Sequence, residues 1–143
     1  MKEITFDEIV DAVKSCVTAC GRLTPSCKRA LAESLAKESG SAARFALSVL
    51  LENAETAERE GLAVCQDTGM AVFYIALGQD VHITGGLLGD AVDEGVRQGY
   101  AECGWRASVL DPLTRVNTKD NTPAILHIEL TEGDGLTLDF LPK

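Results

Sequence analysis

The chain has 143 residues, 45% of them apolar and 24% charged, and a net charge of −9. That length carries one domain with a real core, and that apolar share excludes intrinsic disorder. The acidity excludes nucleic acid as a partner, because phosphate binding needs clustered Lys and Arg, yet it allows an anionic small ligand, since one or two arginines can reverse the field of a pocket. No apolar stretch reaches membrane-spanning length. Met1-Lys2-Glu3-Ile4-Thr5 lacks the apolar region of a secretory signal, which points to the cytoplasm. In that compartment the five cysteines are expected as reduced thiols or ligands.

Three helices are expected in residues 1–61. Thr5-Phe6-Asp7-Glu8 fits a capping box, with Thr5 as N-cap and Glu8 reaching back to it. Phe6, Ile9, Val10, Val13, Cys16, Val17 and Cys20 recur at helical spacing, and Gly21 is expected in the left-handed position that stops the helix. Thr24-Pro25 opens a second helix with the stripe Cys27, Leu31 and Leu35, ending at Gly40. Ser41 is expected to cap a third, with Leu47, Leu50, Leu51, Ala54 and Ala57 inward and Gly61 closing it. From residue 62 to 143 the period changes to that of strands. Met70 to Leu77 is apolar throughout, and predicts a strand buried on both faces. Val81 to Thr84 reads as another. Leu88, Ala91, Val92, Gly95, Val96, Gly99, Tyr100 and Cys103 define a fourth helix, whose Gly95 and Gly99 allow close backbone packing, and Gly104 ends it. Residues 111–123 read as a loop. Ala124 to Leu130 and Leu136 to Leu141 flank Glu132-Gly133-Asp134-Gly135, a hairpin signal. The expected architecture is α+β in a single domain: three N-terminal helices, then a mostly antiparallel or mixed sheet with one further helix. A chain running straight off an apolar strand to Lys143 suggests truncation at the C-terminus.

The cysteines separate by position. Cys16, Cys20, Cys27 and Cys103 fall on apolar helical stripes, where a thiol packs as a small hydrophobe, and the spacing of the first three matches no zinc or cluster pattern. Cys65 sits instead in the polar turn Cys65-Gln66-Asp67-Thr68-Gly69 between two apolar runs. Strands that end in a polar turn are how rigid scaffolds present chemistry, and this turn offers N–H and hydroxyl donors to tune a thiolate. The other reading is that Asp67-Thr68-Gly69 simply turns the chain. Asp-Thr-Gly is also the aspartic-protease signature, but that fold is nearly all β and its aspartate follows apolar residues. Here some sixty residues before the motif are helical, and Asp67 follows Cys65 and Gln66.

Cys65-Gln66-Asp67-Thr68-Gly69 after a helix carrying Glu52-Asn53-Ala54 resembles the α region of class I fumarases and iron–sulfur L(+)-tartrate dehydratases. Glu38-Ser39, Thr84-Gly85-Gly86, Arg106, Asn117-Thr118, Asn121 and Pro123 extend the resemblance over most of the chain. The resemblance implies a hydro-lyase that reversibly adds or removes water on a small dicarboxylate, fumarate/malate or tartrate/oxaloacetate. It also implies a [4Fe–4S] cluster held by three cysteines, of which Cys65 would be one. Gln66 and Asp67 would contact substrate and Arg106 would bind a carboxylate, with Arg115 the rival for that task. A β subunit or fused β domain is implied as partner, in a homodimer or α2β2-type assembly. The remaining two ligand cysteines and the catalytic base are expected outside this sequence, so the chain alone should be inactive. The competing reading is a non-catalytic ligand-binding or assembly module of the same origin. Asn117 and Asn121 fit either loop organisation or ligand contact. His82 and His127, in strand-like runs, are expected to be partly buried and structural.

Overall fold

The structure, a computed structural model, describes residues 1–65 and 68–143. Its elements in chain order are β1 (Lys2–Thr5), α1 (Phe6–Ala19), α2 (Pro25–Lys37), α3 (Ser41–Glu60), β2 (Ala71–Gly78), β3 (Val81–Thr84), α4 (Leu88–Glu102), β4 (Ile125–Thr131) and β5 (Leu136–Pro142). The α+β class is as expected. Two compact units divide the chain, one of Met1–Ala19 with Asp67–Lys143 and the other of Cys20–Gln66. Among the described residues no helix is long and apolar enough to cross a membrane.

In the first unit, α1 and α4 pack on one face of a three-stranded mixed sheet. Ile9, Val10, Val13 and Val17 of α1 meet Ala91, Val92, Val96 and Tyr100 of α4 and Ala71, Phe73 and Ile75 of β2 in a single core. Each such branched or aromatic side chain contributes about 1.5–3 kcal/mol on full burial. The helices approach closely because α4 is glycine where they cross. A Cβ on Gly95 would lie 2.6 Å from Val13 Cβ and 2.9 Å from the Val10 carbonyl oxygen, and one on Gly99 would lie 3.0 Å from Val17 Cβ. The capping box forms as expected. The Thr5 amide donates to Glu8 Oε2 at 2.7 Å and the Glu8 amide donates to Thr5 Oγ1 at 3.2 Å. The same N–H, with the Thr5 hydroxyl, holds the Glu8 carboxyl below its ordinary pKa. What the residue pattern missed is β1, which precedes the box and pairs parallel with β3, Lys2 opposite Val81 through Thr5 opposite Thr84.

The sheet order is β4-β2-β5, parallel on one side and antiparallel on the other. The expected β4–β5 hairpin is therefore corrected: the two strands flank β2 and do not pair with each other. The apolar run of β2 offers ladder groups on both edges, and the Gly-rich segment 132–135 crosses its end. Gly78 donates its N–H to the Gly135 carbonyl at 2.7 Å and Asp80 donates to that of Gly133 at 2.9 Å. A Cβ at Gly78 would meet the Gly133 oxygen at 2.4 Å, so this crossing requires glycine. Burial of β2 on both faces holds at Val72 but fails at Tyr74. Phe73 and Ile75 are buried against the helices, whereas Tyr74, on the opposite face, is half exposed and stacks on His127 with centroids 4.8 Å apart. His127 and His82 are exposed rather than partly buried; His127 lies against the exposed Tyr74, and it is the neighbouring Leu126 and Ile83 that pack against the core.

The second unit is a pair of helices, α2 and α3, joined by residues 38–40 and linked by a Lys28–Glu58 ion pair. Thr24 caps α2, accepting from the Cys27 amide at 3.2 Å, and Gly61 at φ 68° closes α3. The cap of α3 is Gly40, not Ser41, and it makes no side-chain bond. The connection is instead braced by Glu38, whose Oε1 accepts the Gly40 and Ser39 amides at 2.8 Å. These N–H groups hold the Glu38 carboxyl below its ordinary pKa. Arg44 braces it from α3, donating to the carbonyls of Leu35 and Glu38 at 3.0 Å. Gly21 is not left-handed, since α1 has already ended at Ala19. On α3, Ala54 and Ala57 are buried and Leu47 and Leu51 half-buried, but Leu50 is half exposed.

Candidate active site

Two of the expected substrate residues, Gln66 and Asp67, lie outside the described residues. The motif is therefore described through its two flanks.

On the Cys65 side, in the second unit, Asn53 of α3 donates Nδ2 to the Val64 carbonyl at 2.9 Å. This side-chain bond anchors the backbone one residue before Cys65, so the α3 surface positions the thiol's entry. Cys65 itself is exposed. None of the five cysteines is in a disulfide. Cys16, Cys20 and Cys103 are half-buried, in keeping with packing positions, but Cys27 is exposed and does not share that role. Burial pushes the Cys16 thiol above its ordinary pKa, with the charge of Asp139 adding to the effect. A buried thiol of this kind is a poor nucleophile and a poor ligand. Among the described residues no group of three or more His, Cys, Asp or Glu side chains could hold a metal ion.

On the Gly69 side, in the first unit, the chain is laced to its surroundings. Thr68 is only 8% exposed. Its hydroxyl donates to the Arg106 carbonyl at 2.7 Å, and its own carbonyl accepts the Tyr100 hydroxyl at 3.0 Å. Tyr100 is buried on α4 and braced edge-on by Trp105, with centroids 5.6 Å apart. One residue on, Asn121 donates Nδ2 to the Gly69 carbonyl at 2.8 Å, while its Oδ1 accepts the amides of Ser108 at 2.6 Å and Val109 at 3.1 Å. Met70 and Lys143 then exchange backbone bonds at 2.6 and 3.0 Å. The backbone segments 68–70 and 106–109 are thus joined by one hydroxyl and one carboxamide, both buried.

This arrangement separates the two arginine candidates. Arg106 is exposed, and its main chain is bonded directly to the residue after Asp67. Arg115 sits at φ 61° in an exposed turn, its amide donating to the Asp111 carbonyl at 2.9 Å. The asparagines both make loop bonds: Asn117 donates to the Ala107 carbonyl at 2.9 Å and accepts the Lys119 amide at 2.6 Å, beside the Asn121 bonds given above. Thr68 and Tyr100 were absent from the expected site. The available signal was Tyr100 on an apolar stripe, since a buried tyrosine hydroxyl needs a partner.

Among the described residues of the first unit, one concavity lies behind the Tyr100 brace and another over the sheet. The first, of about 140 Å³, is lined by Arg97, Tyr100, Trp105 and Lys119. Arg97 is held there by Asp120 at 3.1 Å and by Glu94, which leaves little uncompensated charge for an anion. The other, of about 470 Å³, lies over the sheet at Tyr74, His127, Glu129 and Asp139, and no expected site residue lines it.

Comparison with known proteins agrees with the motif. An L(+)-tartrate dehydratase subunit alpha, so named, from Methanocaldococcus jannaschii is 32% identical over 109 residues, 73% of this chain and 38% of that protein. The anaerobic class I fumarate hydratase of Escherichia coli K12 is 38% identical over 87 residues, 59% of this chain and 16% of that enzyme. The aerobic class I enzyme of Salmonella typhimurium has the same identity over the same share of this chain and 15% of its own length. The chain thus spans well under half the length of these relatives. The family model described as fumarate hydratase (fumerase) matches residues 9–143, nearly the whole sequence, and so the chain belongs to the fumarate hydratase family.

Proposed function

We propose that this chain is the part of an iron–sulfur hydro-lyase that supplies one cluster thiolate and part of the substrate cradle. The substrate is a small dicarboxylate, undergoing reversible hydration of fumarate to malate or dehydration of tartrate to oxaloacetate. Family membership over residues 9–143 supports the reaction class. The observation that carries the residue assignment is the Thr68 hydroxyl on the Arg106 carbonyl, which ties a guanidinium-bearing residue to the motif.

The described residues alone do not present a cluster's full ligand set. Cys65, exposed and next to a backbone anchored by Asn53, is one thiolate toward it. A [4Fe–4S] cluster with an open iron supplies Lewis-acid chemistry toward a substrate hydroxyl. The chain's own part is recognition. Arg106 clamps a carboxylate, a task for which the planar guanidinium fork suits better than an ammonium. Gln66 and Asp67 contact the rest of the substrate, and the catalytic base and the other thiolates come from beyond this chain. The name of the Methanocaldococcus relative, a subunit alpha, supports a β subunit or β domain as partner, in a homodimeric or α2β2-type assembly. Five cysteines outside any disulfide suit a reducing cytoplasm.

The test uses the complete protein, reconstituted with iron and sulfide without oxygen and assayed by fumarate absorbance and by oxaloacetate formation from tartrate. Turnover of either substrate is expected, and Cys65→Ala should lose the cluster while Cys16→Ala and Cys20→Ala keep it. A preparation holding about four irons with no hydro-lyase activity on either substrate would leave the family's non-catalytic module as the better description.

A further inference from the structure

We propose that Thr68 is a positioning residue for Arg106. By gripping the Arg106 carbonyl, it sets where the guanidinium meets the substrate carboxylate. This rests on the hydro-lyase reading, and it gives a task to Thr68, a described motif side chain whose contact leads away from the motif.

The argument starts from what a buried threonine hydroxyl needs. Thr68 is almost wholly enclosed, so its hydroxyl must find a partner. A threonine in a turn commonly bonds a nearby amide in its own loop. Thr68 instead donates 2.7 Å to a carbonyl 38 residues away, that of Arg106. Its own carbonyl is meanwhile held by Tyr100, a residue locked in the core of α4. The rigid helix therefore fixes Thr68, and Thr68 fixes the Arg106 main chain. The second link, through Asn121, grips Ser108 and Val109 on the far side of Arg106 and Gly69 on the near side. The residues on either side of Arg106 are held as well, Trp105 by the Tyr100 carbonyl and Ala107 by Asn117, and the Thr68 bond is a tie made to Arg106 itself. A side chain as long as arginine magnifies small rotations of its backbone, and near-ångström misplacement of a binding group is enough to cost large factors in catalysis.

The hydroxyl, not the bulk, carries this role, so Thr68→Val and Thr68→Ser separate them. In the complete reconstituted enzyme, Thr68→Val should raise KM for the dicarboxylate about tenfold with kcat within about twofold, the pattern of lost ground-state and transition-state binding together. Thr68→Ser should restore KM to within about twofold of the parent. The deciding measurement is the same Val substitution made in an Arg106→Ala background, where it should change KM no further, because the group it positions is gone. A purely structural hydroxyl would lower melting temperature and active fraction equally in both backgrounds, and that result overturns the proposal. Calorimetric binding of succinate, which cannot be hydrated, gives a readout independent of turnover. Succinate binding weakened about tenfold by Thr68→Val only when Arg106 is present, in a protein without hydro-lyase activity, would sink the catalytic reading and keep the positioning one. Turnover with an unchanged KM and unchanged succinate affinity in Thr68→Val would do the reverse. A parent protein that neither turns over nor binds succinate would overturn both.

Discussion

Replacing Asn121 with alanine is the most direct challenge to the account of how the motif is held. Asn121 is fully buried and its carboxamide serves three backbone groups, two amides and one carbonyl. Removing a buried partner costs about 1–3 kcal/mol per group. The lower end applies here because the Ser108 amide is only partly buried, which gives about 3 kcal/mol for the three groups. Asn121 also sits at φ 63°, a conformation that asparagine tolerates and alanine adopts at a cost of about 1 kcal/mol. The expected loss for Asn121→Ala is therefore about 4 kcal/mol, a large share of a typical domain's stability. Asn121→Gly loses the same three bonds but not the backbone penalty, and should be milder by about 1 kcal/mol. Urea unfolding followed by circular dichroism, with the slope checked for constancy, measures both. A loss below about 1 kcal/mol for alanine would mean that the carboxamide does not lace the two segments. A glycine variant worse than alanine would refute the backbone term.

The remaining predictions concern the frame around the site. Gly95→Ala should destabilise by about 2 kcal/mol, because its Cβ would strike Val13 and the Val10 carbonyl. This opposes the gain of about 1 kcal/mol that alanine brings to an ordinary helix interior, so a stabilised variant in a thermal melt would show that α1 and α4 are not in close contact there. For Glu8 the folded pKa is lowered below 4.5 by the Thr5 amide and hydroxyl. Its stabilising effect is therefore present above that value and disappears as pH falls through the lower, folded one. Melting temperatures of Glu8→Ala and the parent should differ at pH 7 and converge as the pH falls through the lowered folded pKa; a gap that persists once Glu8 is fully protonated would contradict the capping box.

Much of the frame was legible because it rests on local chemistry. Thr5 with Glu8, Thr24 before Pro25, and Gly61 and Gly104 at helix ends act within a few residues of themselves, so their identity and spacing carry the information. Gly95 and Gly99 were legible for a related reason: two glycines on an otherwise apolar stripe have no better use than close packing. The misreadings arose where one local signal serves two topologies. A Gly-rich segment between two apolar runs suits a tight hairpin and equally suits a connection over a central strand, and only the apolar β2 and its two free edges decided between them. The strand β1 was overlooked because four residues, mostly exposed, gain their regularity from β3 some eighty positions later.

The site divides along the same line. The run Cys65-Gln66-Asp67-Thr68-Gly69, read together with Glu52-Asn53-Ala54 and the rest of its context, pointed to the family, because motif chemistry depends on residue types in a fixed order. It could not say what holds the turn. That work falls to Tyr100, Arg106 and Asn121, which lie between 32 and 52 residues from the groups they hold. Hydrogen bonds of that span leave no periodicity and no spacing rule, since the loop lengths between partners can vary without changing the contact. Tertiary structure alone decided that Asn121 braces the turn, and that the main chain of Arg106 rather than that of Arg115 is bonded to Thr68.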